Sequence, residues 1–326
     1  MKSESSTKAP STEVLHFFSG HSVWKAPYDE AGLRRSTGWT RRCFSYFYVR
    51  HSNSSFDSQR DIDLHLDGYV KGDPRQVFLD SGAFTFLTKK PNVDKKEMER
   101  YLADYVDYVR TWLASPRARA LYAYATFDYT RDPAVVYSVT MRLRKMGLEP
   151  MPVWHCVADP QWLERYMKEG FKLIGIGFLG TGDQLNRAGR KQFLRMAFHL
   201  AERYGVRLHG LGMSGSEVLS HPWASVDSTT WIQSAFRGGI LMIDPVRKTV
   251  RNVHVSNEAK ALRSNGSFDM LDARVRRGLV EQVERLGFRM DDLRRHGFYR
   301  ACFNVRQFEL AMRGSTSPAS SWGRIV

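Results

Sequence analysis

One continuous (β/α)8 TIM-type barrel is the architecture to which three features of this chain point. Short apolar runs alternate with helix-period stretches through its middle, which is the pattern of a parallel sheet. Seven or eight such units can be marked out, and that number favours a closed ring of strands over an open sheet. No repeat or low-complexity linker interrupts residues 13–246, and a chain of 326 residues, 42% hydrophobic, suffices for one large domain.

The first units are VLHFF and SYFYV, both read as strands. Val77, Phe78 and Leu79 form a buried-strand run ending at Asp80. The next stretch predicts a helix: Met98, Leu102, Tyr105, Val109 and Trp112 recur at alternating spacings of four and three, and Asp94 with Glu97 offers a capping box. LYAYATFD reads as a strand ending at Asp128. Asp132-Pro133 then opens a helix, with aspartate as N-cap and proline in the first turn. MPVWHC is a strand ending near His155, and Asp159-Pro160 repeats the same device. FKLIGIGF is a strand, 191–204 a helix stopped at Gly205, and RLHGLGM a strand leading to a short helix from about Gly215. ASVD is a strand end, and GGILMI is one further candidate strand.

The flanks differ from this core. Residues 1–12 are polar, lack the apolar stretch of a signal peptide and read as a disordered leader; 315–326 read as a flexible tail. Residues 247–314 read as a basic helical extension packed on the barrel, with Leu279, Val280, Val283 and Leu286 forming an apolar stripe that ends at Gly287. A helix-turn-helix is the alternative for that region.

The net charge is +15, with a pI near 9.8, which favours a polyanionic partner such as DNA or RNA; a basic surface that serves only solubility is the alternative. The three cysteines, Cys43, Cys156 and Cys302, share no metal-knuckle spacing, which argues against a disulfide framework and a cysteine zinc site, and free thiols fit a reducing cytoplasm. No apolar run is long enough to span a membrane. Neither a phosphate-cradling glycine loop nor a nucleophile elbow is present.

Parallel barrels place their chemistry at the carboxyl ends of the strands. Asp80, Asp128, His155 and Asp227 end four separate units and should therefore face one mouth. Several carboxylates there suit the breaking of a glycosidic bond. One attacks the sugar carbon, a second moves protons, and a third accepts hydrogen bonds from the donor edge of a guanine. The structural alternatives are a turn aspartate at Asp80, a helix cap at Asp227 and a satisfied core histidine at His155.

Asp80-Ser81-Gly82-Ala83-Phe84 resembles the Asp-Ser-Gly-Gly-Phe motif of the tRNA-guanine transglycosylases. Phe127-Asp128, Gly175-Ile176-Gly177 and His209-Gly210-Leu211-Gly212 with Val226-Asp227-Ser228 resemble later elements of that family in the same order. The resemblance implies that Asp227 is the nucleophile and Asp80 the general acid/base. It implies that Ser81, Gly82, Phe84, Asp128, His155 and Gly177 bind the base. The family's zinc ligands have no counterpart beyond Cys302, so the resemblance implies no metal and no zinc subdomain. It comes nearest to the DNA-acting 7-deazaguanine transglycosylases of phages and bacteria. The implied reaction exchanges guanine for a preQ0- or preQ1-type base in DNA through a covalent aspartyl intermediate, without a cofactor. Arg34, Arg35, Trp39, Arg41, Arg42 and Arg237 are then the candidate nucleic-acid contacts. A zinc-free enzyme acting on tRNA, and a non-catalytic nucleic-acid-binding barrel, stand as alternatives.

Overall fold

The computed structural model describes residues 14–20, 24, 27–38, 41–51, 58–67, 76–89, 93–155, 159–177, 187–258 and 266–312. The expected leader and tail, Trp39 and Cys156 lie outside these residues.

Eight parallel strands follow in chain order: β1 Leu15–Ser19, β2 Arg42–Ser45, β3 Val77–Asp80, β4 Leu121–Tyr124, β5 Val153–His155, β6 Leu173–Gly177, β7 Arg207–Leu211 and β8 Ser225–Ser228. Neighbours pair in sequence from β1 to β4 and from β5 to β8, and β8 returns to β1 with Phe17 beside Asp227. The remaining seam is closed by a parallel bridge between Ala125 and Met151. There the Met151 N–H donates to the Tyr124 carbonyl at 2.8 Å and the Thr126 N–H to the Met151 carbonyl at 2.9 Å. The sheet is thus a barrel, as its alternating pattern implied.

Helices sheathe the ring: α1 Glu30–Thr37, α2 Tyr46–Arg50, α3 Ser58–Asp67, α4 Ala83–Lys89, α5 Lys95–Ala114, α6 Pro133–Lys145, α7 Pro160–Lys168, α8 Arg187–Tyr204 and α9 Thr230–Phe236. The capping aspartates act as their positions suggest. Asp94 accepts from the Glu97 N–H at 2.7 Å, Asp132 from that of Ala134 at 2.9 Å and Asp159 from that of Gln161 at 2.8 Å. On α5, Leu102, Tyr105, Val109 and Trp112 are buried, so the periodic face is the one that packs on the strands.

Two local readings are corrected. SYFYV is not a strand: β2 ends at Ser45, and Tyr46 to Arg50 turn into α2. Helical geometry lets Tyr46 pack its ring against Tyr101 and Tyr105 of α5, with centroids 5.4 and 5.3 Å away, and that tertiary contact overrides the β propensity of the aromatic run. The stretch after Gly215 forms hydrogen-bonded turns and not a helix.

GGILMI is a strand, β9 Gly239–Asp244, but it lies outside the ring and pairs antiparallel with β10 Thr249–His254. Its continuous apolar character reflects burial on two sides. Leu241 and Ile243 join the core between barrel and helices, whereas Ile240 and Met242 meet the C-terminal helices α10 Ala273–Arg285, α11 Met290–Arg295 and α12 Gly297–Met312. The Asn304 side chain of α12 accepts from the Leu241 N–H at 2.6 Å and donates to the Trp231 carbonyl at 2.8 Å, so the helix satisfies the free edge of β9.

Candidate active site

Inward positions alternate along each strand. Leu15, Phe17, Phe78, Met151 and Val153 fill the barrel with apolar side chains. Above them, toward the carboxyl ends, the inward positions become polar: Ser19 on β1, Asp80 on β3, His155 on β5 and Asp227 on β8.

Asp227 is 8% exposed and fixed at both oxygens. Oδ2 accepts from the Ser19 hydroxyl at 2.6 Å, and Oδ1 accepts from the Gly212 N–H at 3.0 Å, with His209 Nε2 3.3 Å away. Gly212 adopts φ +66, the left-handed turn that directs its N–H at the carboxylate.

Asp80 ends β3, and its Oδ2 accepts from the Gly82 N–H at 3.0 Å. Burial pushes its carboxyl up to about 7, reinforced by the negative charges of Asp128 and Asp227. Asp128, four residues beyond β4, lies near the same mouth. Its Oδ1 accepts from the Ser81 hydroxyl at 3.4 Å, and its Oδ2 is 3.1 Å from His155 Nε2. His155 is 6% exposed, and among the described residues neither ring nitrogen has a partner in hydrogen-bond line. The structure therefore gathers the three aspartates and His155 on one side of the barrel. His209 and Ser19, which the sequence reading missed, belong to the same cluster. Strand parity from Asp227 to its β1 and β7 neighbours was the signal available for them.

Other assignments from the Asp-Ser-Gly-Ala-Phe stretch have local causes. Ser81 is fully buried, and its hydroxyl is occupied by Asp128 and by the Ala83 N–H at 3.4 Å. Gly82 has φ +75, and a Cβ there would stand 2.6 Å from the Phe47 backbone nitrogen and 2.8 Å from the Tyr101 hydroxyl. The chain's own packing is enough to demand that glycine. Gly82→Ala is expected to destabilise the protein by roughly 2–4 kcal/mol through strain and overpacking, measured by chemical denaturation; a change under about 0.5 kcal/mol would show the turn to be relaxed. Gly177 likewise makes room for a protein group, since a Cβ would meet His155 Nδ1 at 2.5 Å. Phe84 is 59% exposed in the first turn of α4.

The arginines do not form a track at the mouth. Arg42 is wholly buried and bound to Glu30. Arg34 and Arg35 lie in the last turn of α1, and Arg237 is the residue that follows α9. Among the described residues, no group of three or more histidine, cysteine, aspartate or glutamate side chains is placed to hold a metal ion, and no helix is long and apolar enough to cross a membrane.

No family model and no curated protein matches the chain. Solved structures similar to it include a candidate fructose-1,6-biphosphate aldolase from Coccidioides immitis, with TM-score 0.46 and 10% identity over 95% of this chain and 92% of that one. Another is the YdjI aldolase from Escherichia coli K12, with TM-score 0.43 and 11% identity over 94% of this chain and 93% of that one. Likeness this distant carries no chemistry to the present chain. The transglycosylase resemblance is corrected all the same. These neighbours are aldolases, and neither a family model nor a curated protein carries the resemblance. The inferred exchange of 7-deazaguanine bases, the DNA or tRNA substrate and the nucleic-acid partner fall with it.

Proposed function

We propose that this chain is an acid–base enzyme that takes a proton from, and returns one to, a small polar molecule held in the mouth of the barrel. The observation that carries the reading is the placement of Asp80 at a strand end, partly enclosed and facing two further aspartates, with its carboxyl raised to about 7. A group titrating there is available in both forms at neutral pH, and general acid–base catalysis favours that match. Asp227, oriented by the Ser19 hydroxyl and the Gly212 N–H with His209 Nε2 beside it, is the second catalytic carboxylate in this reading. The Asp128–His155 pair is a second place where a proton can rest. Phe84 offers an exposed aromatic face beside the site for the substrate's apolar part. Proton removal and return is the step common to lyases and isomerases, and the reading extends to that class of reaction.

The test is to incubate the protein with a polar small-molecule extract in deuterated water and follow depletion and carbon-bound deuterium by mass spectrometry. At least one compound should be turned over or exchanged by the wild type, with loss of roughly 10²–10⁴-fold in Asp80→Asn and in Asp227→Asn. Equal rates in Asp80→Asn, or no compound affected by the wild type, would contradict the reading.

A further inference from the structure

Beneath Asp227 the barrel interior holds a line of polar groups where packed hydrocarbon is the rule. His209 Nε2 stands 3.3 Å from Asp227 Oδ1, and its Nδ1 is 2.7 Å from Ser225 Oγ. Ser225 Oγ is in turn 3.1 Å from the Tyr122 hydroxyl. The line is sheathed by aromatic rings: Phe78 lies 4.4 Å from His209 between centroids, and Phe17 lies 4.9 Å from Tyr122. Asp227, His209 and Ser225 are buried, whereas Tyr122, near the start of β4 and so toward the end opposite the mouth, is partly exposed.

We propose that Asp227, His209, Ser225 and Tyr122 form a proton relay joining the mouth of the barrel to its opposite end. Hydrogen-bond bookkeeping motivates it, because a neutral imidazole donates from only one nitrogen. With Asp227 ionised, His209 donates from Nε2 to Oδ1, Ser225 donates to Nδ1 and Tyr122 donates to Ser225. With Asp227 protonated, every bond reverses: its O–H donates to Nε2, Nδ1–H to Ser225, and Ser225 to the Tyr122 oxygen. Passing between the two arrangements moves one proton. The Asp227 proton goes to Nε2, the Nδ1 proton to Ser225, the Ser225 proton to Tyr122 and the Tyr122 proton to solvent, so each intermediate group keeps its proton count. Cys43 on β2 and Asp80 on β3 are the other titratable groups facing this line, whereas His16 on β1 lies behind the strand, stacked on Phe18 and set against Phe308 of α12. Burial holds His16 down to about 3 and pushes the Cys43 thiol up, so both stay uncharged through neutral pH.

The relay rests on the role proposed for Asp227, but its test needs no substrate. In protein labelled with 15N-histidine and 13Cγ-aspartate, the His209 nitrogens and the Asp227 carboxyl are followed together as the pH is lowered. The expected result is a tautomer switch, from proton on Nε2 to proton on Nδ1, in step with Asp227 protonation, and its loss in Ser225→Ala, whose fold is checked by its remaining spectrum. Conversion of His209 to imidazolium, an unchanged tautomer through the Asp227 titration, or a switch that persists in Ser225→Ala would overturn the relay. Wild-type turnover by Asp80→Asn would refute the enzymatic reading and leave this switch untouched, so the two failures are distinguishable.

Discussion

Asp80→Asn should make the protein more stable above pH 7 by about 2–4 kcal/mol while removing its activity. The wild-type carboxyl titrates near 7 in the folded chain and near 3.8 when exposed. Between those values the native state holds a proton that the unfolded state has released, so stability contributed by this group is present below pH 3.8 and lost as pH rises through 7. About three pKa units correspond to roughly 4 kcal/mol, an upper value because the site relaxes when charged. Asparagine keeps the shape and removes the charge. The two proteins should therefore have similar stability near pH 4 and diverge toward pH 8. Urea denaturation across that range measures it. His16 works in the opposite sense: its folded value near 3 lies below its ordinary 6.5, so its contribution is present above 6.5 and lost as pH falls toward 3. Its titration affects both proteins alike and cancels in the difference. A site residue whose neutralisation stabilises the fold is the pattern of a group retained for chemistry at a cost in stability. Equal stability of the two proteins at pH 8 would mean that Asp80 carries no such strain.

Arg42→Ala is the substitution expected to cost the fold most, about 3–5 kcal/mol, because it strands a buried charge. The guanidinium is wholly enclosed. Nε donates to Glu30 Oε1 at 2.5 Å and Nη2 to Oε2 at 3.1 Å, with further bonds to the Phe18 and Gly20 carbonyls. It also stands over the rings of Phe44 and Trp231, 5.2 and 5.6 Å from their centroids. Removing it leaves Glu30, 1% exposed, without its cation, and leaves two carbonyls at the end of β1 short of donors. The double variant Arg42→Met, Glu30→Gln should recover much of the loss, since the penalty belongs to the orphaned charge. Urea midpoints of the three variants measure this, and a loss under about 1 kcal/mol in Arg42→Ala would contradict it. The same contacts explain why a residue read from its charge as a surface contact is part of the core.

The barrel was legible because its units repeat simple chemistry: apolar runs ending in a polar residue, then aspartate-proline starts at Asp132 and Asp159 whose side chains cap the helices they open. Asp80 and Asp227 stood out for the same reason, as carboxylates at the ends of buried strands, whereas β4 stops at Tyr124 and leaves Asp128 in the segment beyond it. The misreadings have equally local causes. SYFYV has strand-forming residues, but three tyrosines elsewhere offer Tyr46 a better surface in helical form. GGILMI looks like a barrel strand because burial on both faces gives the same composition wherever it occurs. The glycines of the Asp80 turn and of β6 also answer to packing, since a Cβ at either would meet Phe47 or His155. His209 was read only as part of a motif and given no role, because its meaning depends on facing Asp227 and Ser225, which one chain position cannot convey.

Everything claimed for the mouth depends on mutual repulsion and burial acting on one carboxyl. The direct measurement is a 13C NMR titration of the aspartate carboxyls in the folded protein. One resonance should titrate near pH 7, vanish in Asp80→Asn and move to lower pH in Asp227→Asn. A wild-type protein in which every aspartate finishes titrating below about pH 5, near the ordinary carboxylate range, would contradict the account.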